Sequence, residues 1–215
     1  MELEEELATA EMLDVKHLAD VIVEIGFECT RCGACCKGEE EEHIATVFPS
    51  EIRNIQKSKG MKWRDIARPM PFGMTEGVKG ELKGETFEWA LQIGNCGDCS
   101  FYRETDGGGV CGIYSDKPLI CETYPFSIDL EGSSKPDGEI VQKIGGVVVH
   151  ECEGIGREID YEDAMKLAEI LKKRTIRDIK EAIEVIEKYK NSKIKTRTMV
   201  VHDSEGAKDR DGKFL

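Results

Sequence analysis

Thiols dominate the chemistry that this sequence can offer. The 215-residue chain has nine cysteines, and four of them fall within the eight residues CTRCGACC. The cysteines are Cys29, Cys32, Cys35, Cys36, Cys96, Cys99, Cys111, Cys121 and Cys152. A C-x2-C spacing places two thiolates on one tight turn, where both can bind one metal while backbone amides donate to their sulfurs. The two overlapping C-x2-C units therefore predict about three convergent sulfurs, and a fourth ligand must come from elsewhere in the chain.

An all-thiolate site favours zinc or an iron–sulfur cluster. Three closely spaced cysteines plus a remote one are typical of a cluster, whereas two separate C-x2-C pairs are typical of a zinc ribbon. Only Cys96 and Cys99 offer such a second pair. Adjacent cysteines rarely bind one ion together, so we expect either Cys35 or Cys36 to serve a second centre or to bridge. Nine thiols would also allow two four-sulfur sites with one left over.

The net charge of the chain and the compartment expected for it exclude some classes of function. The chain has 43 acidic residues against 30 lysines and arginines, for a formal net charge of -13. Such a charge repels phosphates and argues against nucleic acids as partners. The acidic N-terminus lacks a signal-peptide pattern, and no apolar run is long enough to span a bilayer, so we expect a soluble cytoplasmic protein without membrane insertion. In a reducing compartment, metal binding or redox chemistry explains clustered cysteines better than disulfides do.

Patterning along the chain predicts a small α+β protein. A loop-rich cysteine-cluster core with short antiparallel strands is flanked by an N-terminal helix and a C-terminal helical pair. We divide the chain into a helical segment at 1–25, a metal-binding domain at 26–159, helices at 160–190 and a polar tail at 191–215. Asp14 is expected to cap a second N-terminal helix that ends at Gly26, and Thr175 is expected to divide the C-terminal region into two helices. The tail is expected either to be disordered or to order on a partner.

Several short motifs resemble one known family. CTRCGACC, CSFY at Cys99, CGIYSDKPLICETYPF at Cys111 and CEGIG at Cys152 together resemble the signature of the CxxCxxCC cysteine-cluster family. Its members are described as zinc- or iron-chelating, and it includes relatives of flagellin lysine N-methylase. The resemblance extends from about Glu28 to Gly156.

The resemblance implies a bound metal centre and a set of candidate ligands. Matched to this sequence, the ligand candidates are Cys29, Cys32, Cys35, Cys36, Cys99, Cys111, Cys121 and Cys152. Cys96 is an addition to the family pattern and a weaker candidate. This chain has Lys117 and Glu122 where the family usually has arginine, so any inherited substrate role that depends on guanidinium groups is in doubt.

We expect an iron–sulfur protein, with a [4Fe–4S] centre, that serves a larger enzyme in electron transfer or maturation. Its partner would be another protein or enzyme complex. Two alternatives stay open: a structural-zinc interaction module, and a protein lysine methyltransferase that uses S-adenosylmethionine. The methyltransferase alternative is suggested by the resemblance alone. The sequence lacks the strand–GxGxG–helix pattern that would bind S-adenosylmethionine.

Overall fold

The protein is described from a computed structural model covering residues 2–38, 44–70, 74–76, 82–94, 96–130, 140–190 and 200–215. The chain forms two compact units, each assembled from three separate segments. The first unit comprises residues 1–35, 104–110 and 119–180, and the second comprises 36–103, 111–118 and 181–215. One boundary between the units falls between Cys35 and Cys36.

The described ranges contain six α-helices. They are α1 (Glu2–Glu11), α2 (Val15–Ile25), α3 (Pro49–Lys59), α4 (Trp63–Ile66), α5 (Leu119–Thr123) and α6 (Tyr161–Tyr189). Asp14 caps α2 by accepting a hydrogen bond from the Lys16 amide at 2.9 Å, and Gly26 ends that helix with a φ of 73°. Both features confirm the helix boundaries expected from the sequence.

The strands are short and mostly antiparallel. They are β1 (Ala67–Pro69), β2 (Met74–Glu76), β3 (Leu82–Thr86), β4 (Trp89–Leu91), β5 (Tyr102–Thr105), β6 (Gly108–Cys111), β7 (Phe126–Ile128), β8 (Ile140–Ile144), β9 (Val147–His150), β10 (Val200–His202) and β11 (Ala207–Asp209). The sheets have the orders β1-β4, β11-β10-β3-β2, β5-β6 and β7-β9-β8. Only the pairing of β10 with β3 is parallel among the pairings described. The architecture confirms the predicted α+β class.

The first unit packs two helices against its three-stranded sheet. Its core joins the apolar face of α2, the inner face of β7 and β9, and the start of α6. The buried residues of this core are Leu18, Ala19, Val21, Ile22, Ile25, Phe126, Val147, Val149, Ala164, Ala168 and Leu171. The spacing of Ala164, Ala168 and Leu171 at three and four residues places them on one face of α6. This core fixes the strand that leads to Cys152.

The predicted C-terminal helical pair is a single helix. Residues 161–189 form α6 without a break. Thr175, which the sequence suggested as a cap, instead donates its hydroxyl to the Leu171 carbonyl one turn earlier at 3.0 Å. A threonine can make this bond inside a helix, so its presence does not end one.

The second unit has its own buried cluster around an ion pair. The rings of Trp63 and Trp89 meet edge to face at 5.1 Å. Lys208 is 1% exposed, and its ammonium lies 2.8 Å from Asp203 Oδ2, which also accepts from the Trp89 indole at 2.8 Å. Residues 200–215, part of the region interpreted from the sequence as a polar tail, thus contribute two strands and a buried charge pair. Residues 191–199 lie outside the described ranges.

None of the helices in the described ranges combines the length and the apolar character that crossing a bilayer requires.

Candidate metal centre

A short backbone pairing joins the two ends of the cysteine-rich region in the first unit. Phe27 and Ile155 form an antiparallel bridge, and the Glu28 amide donates to the Gly154 carbonyl at 3.1 Å. The residue after Glu28 is the first cysteine of CTRCGACC, and Cys152 lies two residues before Gly154. The pairing therefore brings Cys152 to the start of the cysteine loop, although more than a hundred residues separate them.

Two glycines allow this close approach. A Cβ added at Gly154 would lie 2.3 Å from the Glu28 carbonyl oxygen. One added at Gly26, whose φ is 73°, would lie 2.6 Å from the carbonyl oxygen of Arg157. Real side chains do not tolerate such distances to backbone atoms, so both positions require glycine if the pairing is to form.

The loop that carries the first cysteines is curled and anchored. Arg31 has a φ of 57°, the only positive value among the described residues other than glycine, and Gly33 follows with a φ of 81°. The Gly109 amide, near the tip of the β5–β6 hairpin, donates to the Arg31 carbonyl at 2.7 Å. The hairpin tip therefore holds the loop in a backbone conformation that is unfavourable for an arginine.

The pKa of the Cys152 thiol is affected by its burial and by the three nearest cysteines of the loop in the sequence run CTRCGAC. Burial raises the pKa of the Cys152 thiol, and the Gly154 amide, which donates to its sulfur at 3.4 Å, partly lowers it. The neighbouring thiolates of Cys32, Cys35 and Cys29 raise this pKa further. Such repulsion between thiolates is relieved when a cation binds among them.

Tyr124 contacts the segment that leads to Cys152. Burial, followed by the charges of Cys152 and Cys35, raises the pKa of Tyr124 to about 12. Its hydroxyl donates to the Glu151 carbonyl, and its ring stacks on His150 with centroids 6.3 Å apart. These contacts fix the Tyr124 ring beside the strand that leads to Cys152.

His150 is held by its neighbours in the sheet. Besides stacking on Tyr124, its Nε2 lies 3.1 Å from the Ser127 hydroxyl oxygen. This places the ring next to the residues around Cys152 in a supporting position.

The thiols of Cys29, Cys32, Cys35 and Cys152 are suitable ligands for a soft metal. Their sulfur atoms do not converge on one point. Cys29 and Cys35 are exposed, and Cys32 and Cys152 are half-buried. In the described part of the chain, no three Cys, His, Asp or Glu side chains stand close enough to hold an ion.

The other predicted ligands are distributed over both units. Cys36, Cys96, Cys99 and Cys111 belong to the second unit, and Cys121 lies half-buried in α5 of the first. The Cys99 amide donates to the Cys36 carbonyl at 2.8 Å, so these two residues are neighbours. All nine cysteines are described, and none is in a disulfide.

Sequence reasoning missed the backbone that assembles the site. The bridge at Phe27, the anchoring amide of Gly109 and the strained Arg31 have no signal in the cysteine spacing. The glycines in CEGIG were the only visible hint, and their role was read as part of a family pattern.

The fold and the adjacent thiols define a cysteine-cluster protein. The model of the CxxCxxCC family, described as a zinc- or iron-chelating domain, matches residues 28–153, more than half of the chain. The chain belongs to this family, which confirms the resemblance drawn from its motifs. No curated protein and no solved structure matched the chain.

Proposed function

We propose that the protein holds a [4Fe–4S] cluster through Cys29, Cys32, Cys35 and Cys152 and serves a larger enzyme in electron transfer or maturation. The main support for this proposal is the pairing of residues 27–28 with 154–155. This pairing brings the remote Cys152 to the start of the loop that carries three closely spaced cysteines. This combination of three near cysteines and one remote cysteine is the usual ligand pattern of such clusters.

Backbone donors support a thiolate centre at this position. The Gly154 amide already donates to Cys152 Sγ at 3.4 Å. Amide–sulfur hydrogen bonds lower the basicity of thiolates and are among the features by which a protein sets the reduction potential of a cluster. A bound [4Fe–4S] group would supply one-electron transfer.

The exposure of the ligands suits exchange with a partner. Cys29 and Cys35 are exposed, whereas Cys152 is half-buried. A centre held there would be partly shielded by protein and partly accessible to a partner. With a net charge of -13, the chain would be attracted to a positively charged protein surface rather than to nucleic acid.

The test is the metal and sulfide content of anaerobically purified full-length protein, with EPR of the reduced sample. We expect four irons and four sulfides per chain, in keeping with the cluster type. Cys152→Ser should reduce the iron and sulfide content severely. Cys121→Ser provides a matched control, because Cys121 is also half-buried in the first unit but is not in the proposed set.

Two outcomes would contradict the proposal. A colourless protein with stoichiometric zinc and no acid-labile sulfide would identify the same four thiolates as a structural-zinc site, since zinc accepts the same donors. A loss of iron in Cys121→Ser as large as that in Cys152→Ser would show that the ligand set is different.

A further inference from the structure

A second thiol pair lies in a closed loop of the second unit. Ile93 and Cys99 form an antiparallel bridge, and the Gly94 amide donates to the Asp98 carbonyl at 2.8 Å. Inside this loop the Gly97 amide donates back to the Gly94 carbonyl at 3.1 Å, and Gly97 itself has a φ of 84°. The segment that contains Cys96-Gly97-Asp98-Cys99 is therefore turned back on itself instead of extended.

The two thiols of this loop differ in exposure. Cys96 is exposed, whereas Cys99 is 6% exposed. Cys99 is fixed at the base of the loop, because its amide donates to the Cys36 carbonyl at 2.8 Å and the neighbouring Asp98 carboxylate accepts from the Gly38 amide at 2.9 Å. An accessible thiol followed after two residues by a protected one is the arrangement in which the first thiol attacks and the second resolves.

We propose that Cys96 and Cys99 form a thiol–disulfide exchange site that reacts with small disulfides such as glutathione disulfide. The Cys96 thiolate attacks one sulfur of the disulfide, which forms a mixed disulfide at Cys96 and releases one glutathione thiolate. The Cys99 thiolate then attacks Cys96 Sγ and releases the second glutathione. One disulfide is reduced to two thiols, and the two cysteines are oxidised to one disulfide.

Neither thiol is among the four proposed metal ligands. Cys96 and Cys99 belong to the second unit, whereas Cys29, Cys32, Cys35 and Cys152 belong to the first. Cys96 is also the one cysteine that has no counterpart in the family pattern. The exchange reaction thus goes beyond the proposed function and does not depend on which metal the first unit holds.

The experiment uses anaerobic, metal-loaded full-length protein treated with mixtures of reduced and oxidised glutathione. Remaining thiols are alkylated, and peptides are mapped by mass spectrometry together with the metal content. We expect a Cys96–Cys99 disulfide that dithiothreitol reverses, with metal retained. Cys99→Ser should accumulate one glutathione at Cys96, and Cys96→Ser should leave Cys99 unmodified because it is buried.

Alkylation of the untreated protein gives a measurement that needs no variant. Cys96 should react at least tenfold faster than Cys99, in line with their exposures. Cys36→Ser is the matched control that shows whether Cys99 forms its disulfide with Cys96 or with Cys36, the other cysteine next to it. The Cys96–Cys99 disulfide should still form in this variant.

Three results would overturn the proposal. The first is the absence of a Cys96–Cys99 disulfide at every glutathione ratio tested. The second is a disulfide between Cys36 and Cys99 in its place. The third is a loss of bound metal in Cys96→Ser, which would make Cys96 a metal ligand.

Discussion

Replacing Gly154 by alanine tests the backbone pairing that assembles the candidate centre. The new Cβ would lie 2.3 Å from the Glu28 carbonyl oxygen, and ordinary contact begins at 3.4 Å, so the two segments must separate by 1.1 Å. The Glu28–Gly154 hydrogen bond, now 3.1 Å, would stretch beyond about 3.5 Å and be lost. A lost hydrogen bond costs about 1 kcal/mol and overpacking about 1–3 kcal/mol, so we expect a loss of about 2–4 kcal/mol in the free energy of unfolding.

The same shift should weaken metal binding. Metal–ligand distances tolerate only about 0.2 Å, so moving Cys152 away from the cysteine loop should lower metal affinity by about 10- to 100-fold. Urea unfolding of the metal-free protein measures the stability change, and competition with a chelator measures the affinity.

Gly156→Ala is the matched control for this experiment. Gly156 has a φ of 79°, but an added Cβ there meets nothing within 4 Å. It should therefore cost only the strain of a left-handed residue, about 1–2 kcal/mol, and keep the metal. If Gly154→Ala were as stable as the wild type and held the metal equally well, the pairing would not position Cys152 and the reasoning would be refuted.

Three further predictions concern stability. Lys208→Met leaves the Asp203 carboxylate buried without its cation, and the free energy of unfolding should fall by about 3–5 kcal/mol in urea titrations; a loss below 1 kcal/mol would contradict the buried pair. The hydrogen bond from Arg53, followed by that from Lys208, lowers the pKa of Glu205 from 4.5 to about 2. Its contribution should therefore be complete above pH 4.5 and disappear as the pH falls towards 2, so the stability difference between wild type and Glu205→Gln should shrink over that range; a constant difference would count against it. Thr175→Ala should change stability by less than about 0.5 kcal/mol in thermal unfolding, because this residue lies within one helix; a loss of about 1 kcal/mol would point to a helix cap.

Local signals in the sequence predicted the elements well where a few neighbouring residues decide them. Asp14 and Gly26 bound α2 as expected. Caps and stops act over one helical turn, so they are visible in the sequence alone. Thr175 shows the limit of the same reasoning, since a threonine hydroxyl can bond within a helix as well as cap one.

The tail was harder to interpret for a similar reason. The charged composition of residues 191–215 gave no indication that Val200 and Val201 are fully buried. It also gave no indication that Lys208 is buried with its charge compensated by Asp203. Composition averages over such residues, and a buried lysine becomes tolerable only when the fold supplies its partner.

The sequence by itself determined which chemistry is available: nine thiols, a C-x2-C-x2-C-C run and the family to which the chain belongs. Only the tertiary structure decided which cysteine-bearing segments approach one another. The pairing of residues 27–28 with 154–155 brings the segment of Cys152 to the start of the cysteine loop, and a boundary between two compact units falls at the step from Cys35 to Cys36. The spacing of cysteines fixes geometry only over a few residues, whereas the approach of a remote cysteine depends on glycines and strand pairing that are far apart in the chain.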